Sequence, residues 1–195
     1  MKLMKSTRSA RRIPVNCGQR TSALLPQMFT LSLLAALLLL QLISAVAGEQ
    51  VPFKGYWNTW HIDKAGLDPL LGPIIRVEVT GTGKASHLGT ATCESTDQVA
   101  VLATGLITAT YTYTAANGDT LLLNATSQTV DFDPIAQRLD FEGEFEVVGG
   151  TGRFAGASGS GTLAGWAIFN QPFGGAENDG PGFFAFDGSL SVGGH

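Results

Sequence analysis

His61 and Asp63 are the residues of this sequence best suited to acid–base chemistry. In an extended strand they share one face with Trp57, because successive side chains point to opposite sides. A carboxyl or imidazole group beside an aromatic wall can act as a general acid or base. Asp63 is therefore the candidate catalytic residue, and the candidate ligand-binding residues are Trp57, Trp60 and Trp166.

The same strand permits a simpler interpretation, which the residue types favour. Trp60 and Ile62, on the opposite face, would then pack in the core. His61 and Asp63 would lie in water at the strand end, since polar residues at strand ends are mostly solvated.

Two further groups of ionisable residues do not form sites. Acidic residues alternate with apolar ones between Asp140 and Glu146, but residues two apart on a strand are roughly 6.5 to 7 Å apart, too far to close around one ion. We expect these acids in water and Phe141 and Phe145 inside. His87 and Cys93 are about 20 Å apart on a straight strand, so we expect Cys93 to be buried and inert. The sequence predicts no metal site and no cofactor.

The elements that would position these residues are strands. Eight apolar or alternating runs are separated by turn-forming residues, and no window has helical spacing. The predicted strands are Phe53 to Ile62, Pro73 to Gly81, Ser86 to Cys93, Gln98 to Tyr113, Thr120 to Phe132, Arg138 to Val148, Gly161 to Phe169 and Gly182 to Val192. The predicted turns are at Asp68-Pro69, Ala116 to Asp119, Asp133-Pro134 and Gly174-Gly175.

Eight antiparallel strands without covering helices favour an up-and-down β-barrel, because closure removes exposed edges. A two-sheet β-sandwich is the alternative. Glycine favours the barrel, since 14 of the last 47 residues are Gly and barrel corners need glycine bends. An eight-stranded barrel can be filled by side chains or hold one small ligand.

Charge divides the chain into two parts. Residues 1–47 hold 6 of the 12 basic residues and none of the 16 acids, so residues 48–195 have a net charge of −10. The first part has a basic start, an apolar run from Phe29 to Ile43 and small residues at Ala45 and Ala47, which is typical of a signal peptide cleaved after Ala47. We expect one mature domain, residues 48–195, secreted to an extracellular or periplasmic space.

The acidic mature part disfavours two classes of partner. It repels phosphate backbones and anionic lipid heads, so we expect no nucleic-acid binding and no membrane binding after the leader is removed.

The segment Val147 to Gly159, VVGGTGRFAGASG, resembles the Gly-Gly-Thr-Gly-x-Phe turn of plant dirigent proteins and allene oxide cyclases. In it Gly149, Gly150 and Gly152 permit positive φ, Thr151 can bond the backbone, and Phe154 can plug the barrel end. The resemblance implies the allene oxide cyclase-like/dirigent-like β-barrel superfamily. It also implies cyclisation or coupling of small apolar molecules in the lumen and a homo-oligomer, a trimer or a dimer.

The functional residues of that superfamily carry over poorly. Dirigent proteins have a His-Asp pair at the end of the first strand, whereas this chain has His61-Ile62-Asp63, one residue out of register. Such a slip turns a side chain to the other face. Three hypotheses stay open: a secreted barrel binding a small apolar molecule, a cyclase-type enzyme, and a structural or surface-interaction domain with a packed lumen.

Overall fold

A computed structural model describes residues 49–172 and 176–192. The predicted leader, its cleavage after Ala47 and the turn at Gly174-Gly175 lie outside the described residues. The strands are β1 (Gln50–Asp68), β2 (Gly72–Ala85), β3 (Gly89–Val101), β4 (Leu106–Ala115), β5 (Thr120–Asp133), β6 (Arg138–Gly150), β7 (Ser158–Ile168) and β8 (Glu177–Ser191). A single 3₁₀ turn, Gly152–Phe154, lies between β6 and β7.

The eight strands form a closed antiparallel barrel. Each strand pairs with the next in the chain, and β8 pairs with β1 to close the ring. The predicted up-and-down β-barrel is confirmed and the two-sheet alternative is wrong. Among the described residues, none belongs to a helix that could cross a membrane.

Along each strand, side chains point alternately into the barrel and towards water. In β4 every second residue from Ile107 to Ala115 is buried, as expected for strands with one face on a core. The acids of β6 behave in the same way: Glu142, Glu144 and Glu146 are exposed while Phe145 is buried. The acidic row is therefore a solvated outer face, as predicted.

The predicted fourth strand, Gln98 to Tyr113, is wrong in its extent. The chain turns between β3 and β4, where the N–H of Gly105 donates to the carbonyl of Val101 at 2.8 Å. Gly105 adopts φ of +71°, a conformation that costs glycine little. The first part of the predicted strand belongs to β3 and the rest forms β4.

The glycine turn after β6 closes one end of the barrel. Gly149 and Gly152 have φ of +137° and +56°, whereas Gly150 is needed for another reason: a Cβ there would lie 2.2 Å from the carbonyl oxygen of Thr120. The hydroxyl of Thr151 accepts a hydrogen bond from the Thr120 N–H at 3.0 Å. Phe154 is fully buried in the core at this end.

Candidate functional site

A cavity of about 230 Å³ lies in the barrel lumen at the end opposite the glycine turn. We call this the open end; β1, β3, β5 and β7 finish there. Most of the lining is aliphatic or aromatic, from all eight strands. The polar side chains on it are Thr59, His61, Asp63, Gln98, Tyr111 and Thr129. An apolar cavity with a few polar groups is the usual form of a small-molecule site.

Aromatic rings fill the lumen towards the closed end. Trp57 lies 4.6 Å from Tyr113 in an edge contact and stacks on Phe186 at 5.1 Å. Phe186 in turn lies 4.6 Å from Phe53. The indole N–H of Trp57 is buried without an acceptor, so packing alone holds this ring. The barrel is therefore packed at one end and open at the other.

The side chains of His61 and Asp63 form a buried pair in the cavity wall. Asp63 Oδ2 lies 3.0 Å from His61 Nδ1, and the two side chains are only 6% and 5% exposed. On its other side, His61 Nε2 lies 3.1 Å from the carbonyl oxygen of Ile168. Phe169 packs its ring edge-on against the imidazole at 5.2 Å.

These two hydrogen bonds fix how many protons the pair holds. The carbonyl of Ile168 can only accept, so His61 Nε2 carries a proton. A second proton then lies between His61 Nδ1 and Asp63, giving either an imidazolium with a carboxylate or a neutral imidazole with a carboxylic acid. In both forms the pair has zero net charge, which lowers the cost of burying it. The cavity wall thus contains a proton that is shared between a base and an acid.

Two glycines of β8 allow His61 to reach Ile168. His61 pairs directly with Gly180 on β8, while Ile168 ends β7, one strand further round the barrel. A Cβ on Gly180 would lie 1.8 Å from the Ile168 oxygen and 3.2 Å from His61 Nε2, and one on Gly182 would lie 2.7 Å from the Thr59 hydroxyl. The missing side chains leave a passage across the inner surface of β8.

A second polar contact lies across the lumen. The hydroxyl of Tyr111 donates to Gln98 Oε1 at 2.8 Å. Burial is the largest cause that raises the pKa of Tyr111, and the nearby Cys93 and Asp97 raise it further. This phenol therefore stays protonated. Burial and then Glu94 raise the pKa of the Cys93 thiol to about 12, which makes it a poor nucleophile because the thiolate is the reactive form. The prediction of a buried Cys93 is confirmed.

The structure divides the predicted site residues. Asp63 lies on the cavity, Trp57 lies in the packed core below it, and Trp60 is 44% exposed on the outer surface. Trp166 borders the cavity, but it is in register with outer residues. Its partner on β8 is Phe183, and Phe183 pairs in turn with Asn58, which is exposed. Its ring stacks on Phe183, and the guanidinium of Arg138 lies 5.2 Å from its ring centroid in a cation–π contact.

The favoured interpretation of the first strand is wrong. His61 and Asp63 are buried, whereas Trp60 and Ile62 are 44% and 43% exposed. The reason is that desolvation of the polar pair is offset by its hydrogen bonds to each other and to Ile168, a residue 107 positions away. The local sequence carries no sign of that partner.

Several cavity residues were not among the predicted site residues. Thr59 shares its face with His61, and Gln98 pairs with Val77 on the inner side of β3. Phe169 lies just beyond β7. Their only sequence signal is alternation with outer residues. Within the described ranges, no three His, Cys, Asp or Glu side chains gather as a metal site would require.

Comparison with known proteins gives similarity at the level of structure only. No family model matches the sequence, and no curated protein matches it. Among solved structures, the chain is similar to that of a pterocarpan synthase dirigent protein, with 16% identity over 75% of this chain and 88% of that chain and a TM-score of 0.43. The dirigent-like resemblance predicted an eight-stranded barrel, which the strand order shows directly.

Proposed function

We propose that this barrel binds a small, largely apolar molecule in the open end of its lumen. The observation that carries the proposal is the apolar cavity of about 230 Å³ with an aromatic floor and one buried polar pair. An apolar cavity of about 150 Å³ can hold benzene. A molecule of one ring with substituents, or of similar volume, therefore fits.

The polar side chains would orient such a ligand. His61 and Asp63 lie in the wall of the cavity, with Thr59 beside them on the same strand face. One polar substituent of the ligand can hydrogen-bond there while its apolar body contacts aliphatic side chains of β2. This arrangement supports binding without any chemical step.

The test is saturable binding of a neutral apolar fluorescent probe such as N-phenyl-1-naphthylamine. Ala100 lines the cavity, so Ala100→Phe should fill part of it and weaken probe binding at least about tenfold, as expected when a cavity of this size loses roughly one ring of volume. Ala164→Phe makes the same change on the exposed face of β7 and is the matched control. The absence of saturable binding, or equal binding by Ala100→Phe, would leave a structural domain as the function.

A second candidate function is guided ring closure or coupling of the bound molecule. It is favoured by one observation, the buried contact of 3.0 Å between His61 Nδ1 and Asp63 Oδ2 in the cavity wall. This function requires Asp63 to move a proton, so Asp63→Asn should abolish product formation while a bound ligand is still retained. A ligand that binds and is released unchanged by the native protein restricts the function to binding.

We also propose that the barrel acts outside the cytoplasm after removal of residues 1–47. The support is the basic start, the apolar run and the small residues before Gly48. Intact mass of the exported chain tests the cleavage, because a form that keeps Phe29 to Ile43 would be anchored instead.

A further inference from the structure

Three turns at the open end carry exposed aliphatic residues. Leu70 at the β1–β2 turn is 94% exposed and Ile135 at the β5–β6 turn is 95% exposed. Leu102 at the β3–β4 turn is 42% exposed. We call Leu70, Ile135 and Leu102 the apolar tips. The order of strands in the ring places Leu70 and Ile135 on opposite sides of the cavity mouth, with Leu102 between them.

Leu70 and Ile135 lie on two turns of the same kind. Each follows an Asp-Pro pair, Asp68-Pro69 or Asp133-Pro134. Asp68 Oδ1 accepts from the N–H of Leu70 at 2.9 Å, and Asp133 Oδ1 accepts from that of Ile135 at 2.8 Å. Pro69 and Pro134, which precede Leu70 and Ile135, each have their own φ fixed by the pyrrolidine ring. The tips are therefore held outwards before any partner arrives, which reduces the entropy that docking costs.

The shape of this end fits a fluid partner better than a rigid one. The tips stand apart around the cavity mouth, and of the three only Leu102 lines the cavity. A folded protein, or a second copy of this barrel, needs a continuous complementary surface of about 800 Å². Acyl chains need none, because they fill the space around each inserted side chain.

Charge selects the kind of lipid. Both Asp-Pro turns present a carboxylate, Asp68 or Asp133, and bonds from backbone N–H groups lower the pKa of both carboxyls. They stay ionised at neutral pH and repel anionic heads, while the ammonium group of a choline head complements them.

We propose that the open end docks on a zwitterionic lipid surface by inserting the apolar tips. Docking places the cavity mouth against the acyl chains, so an apolar ligand can pass between lipid and lumen without crossing water. The passage of ligand rests on the proposed function, whereas docking itself does not. The net charge of −10 on residues 48–195 disfavours anionic surfaces only, since insertion of aliphatic side chains needs no cation.

The experiment uses the chain from Gly48, because every described strand and core residue lies within 49–192. Binding to phosphatidylcholine vesicles is measured by co-sedimentation for the native chain and for Leu70→Asp/Ile135→Asp. Burial of one aliphatic side chain is worth about tenfold or more in partitioning, so the double variant should bind at least tenfold more weakly. Tyr56→Asp/Val148→Asp adds the same charge at two half-exposed wall positions away from the mouth and should bind like the native chain.

Three vesicle-binding results would overturn the proposal. They are no binding by the native chain, equal binding by the double variant, or binding that needs phosphatidylserine. Light scattering that shows a dimer lost in the double variant, without vesicle binding, would identify a second copy as the partner and would also overturn it. Probe binding in buffer should be unchanged in the double variant, so failure of docking and failure of the proposed function are separate outcomes.

Discussion

Substitution of Asp63 tests the proton that the buried pair shares. In Asp63→Asn the side-chain amide can donate to His61 Nδ1, which leaves His61 Nε2 protonated and bonded to the carbonyl of Ile168. A neutral imidazole then satisfies every bond. In Asp63→Ala the same nitrogen loses its partner in a site where the imidazole is 5% exposed.

The magnitude follows from these contacts. An unpaired buried polar group costs about 1 to 3 kcal/mol, so Asp63→Ala should lower the free energy of unfolding by about that amount. Asp63→Asn should lower it by less than about 1 kcal/mol, because it exchanges one buried hydrogen bond for another. For a domain of this size the Ala variant should melt about 2 to 10 °C lower than the native chain.

The assay is urea unfolding of the native chain and both variants, with the tautomer of His61 read by ¹⁵N NMR. Equal losses in the two variants would show that the hydrogen bond at Asp63 contributes nothing. An unprotonated His61 Nε2 in the native chain would refute the proton count, because the Ile168 carbonyl cannot donate.

Three further predictions concern other parts of the barrel. Gly118→Ala, strained at φ +88° but in open space, should cost about 1 kcal/mol in urea unfolding. Gly152→Ala should cost more, about 1 to 2 kcal/mol, since φ is +56° and the new Cβ, 1.8 Å from Asp119 Oδ1, would push that carboxylate away from its bond with Asn117; equal costs would show that the carboxylate moves freely. Cys93, with its pKa raised to about 12 by burial, should resist maleimide at pH 8 in the native chain and react in urea; labelling of the native chain at a free-thiol rate would contradict its burial. Hydrogen bonds from backbone N–H groups hold the pKa of Asp68 below its ordinary value of 3.8. The β1–β2 turn is therefore stabilised above pH 3.8, and this stabilisation is lost as the pH falls through the lower pKa of the folded state. An NMR titration of the Asp68 carboxyl with an ordinary midpoint would contradict those bonds.

The fold could be predicted because its signals are local. Alternation of apolar and polar residues and the pairs Asp68-Pro69 and Asp133-Pro134 mark strands and turns directly. The turn between β3 and β4 was missed because the predicted strand from Gln98 to Tyr113 is apolar or β-branched after its first residue, and Gly105 is its only break. A turn whose sole marker is one glycine looks like a bulge within a strand.

The site could be predicted only in part, because both faces of β1 are suitable for a core. Trp57 and Trp60 stand on opposite faces of that strand, and residue type alone cannot choose between them. The choice is made by packing across the lumen, where Trp57 meets Tyr113 and Phe186. Burial of one aromatic face then takes His61 and Asp63 inside with it, since they share that face.

Glycine on the strand beside a polar residue is the sequence feature that could have located the site. Gly180 and Gly182 lie next to His61 and Thr59 in the register, on the inner face of β8. Alternate glycines weaken a strand unless something crosses it closely, and here the imidazole crosses to the end of β7. Once the pairing of β1 with β8 is inferred from barrel closure, glycines opposite a histidine indicate that its ring points inwards and finds a partner beyond the neighbouring strand. Gly180→Ala should therefore be incompatible with the bond from His61 to Ile168, because its Cβ would lie 1.8 Å from the accepting oxygen.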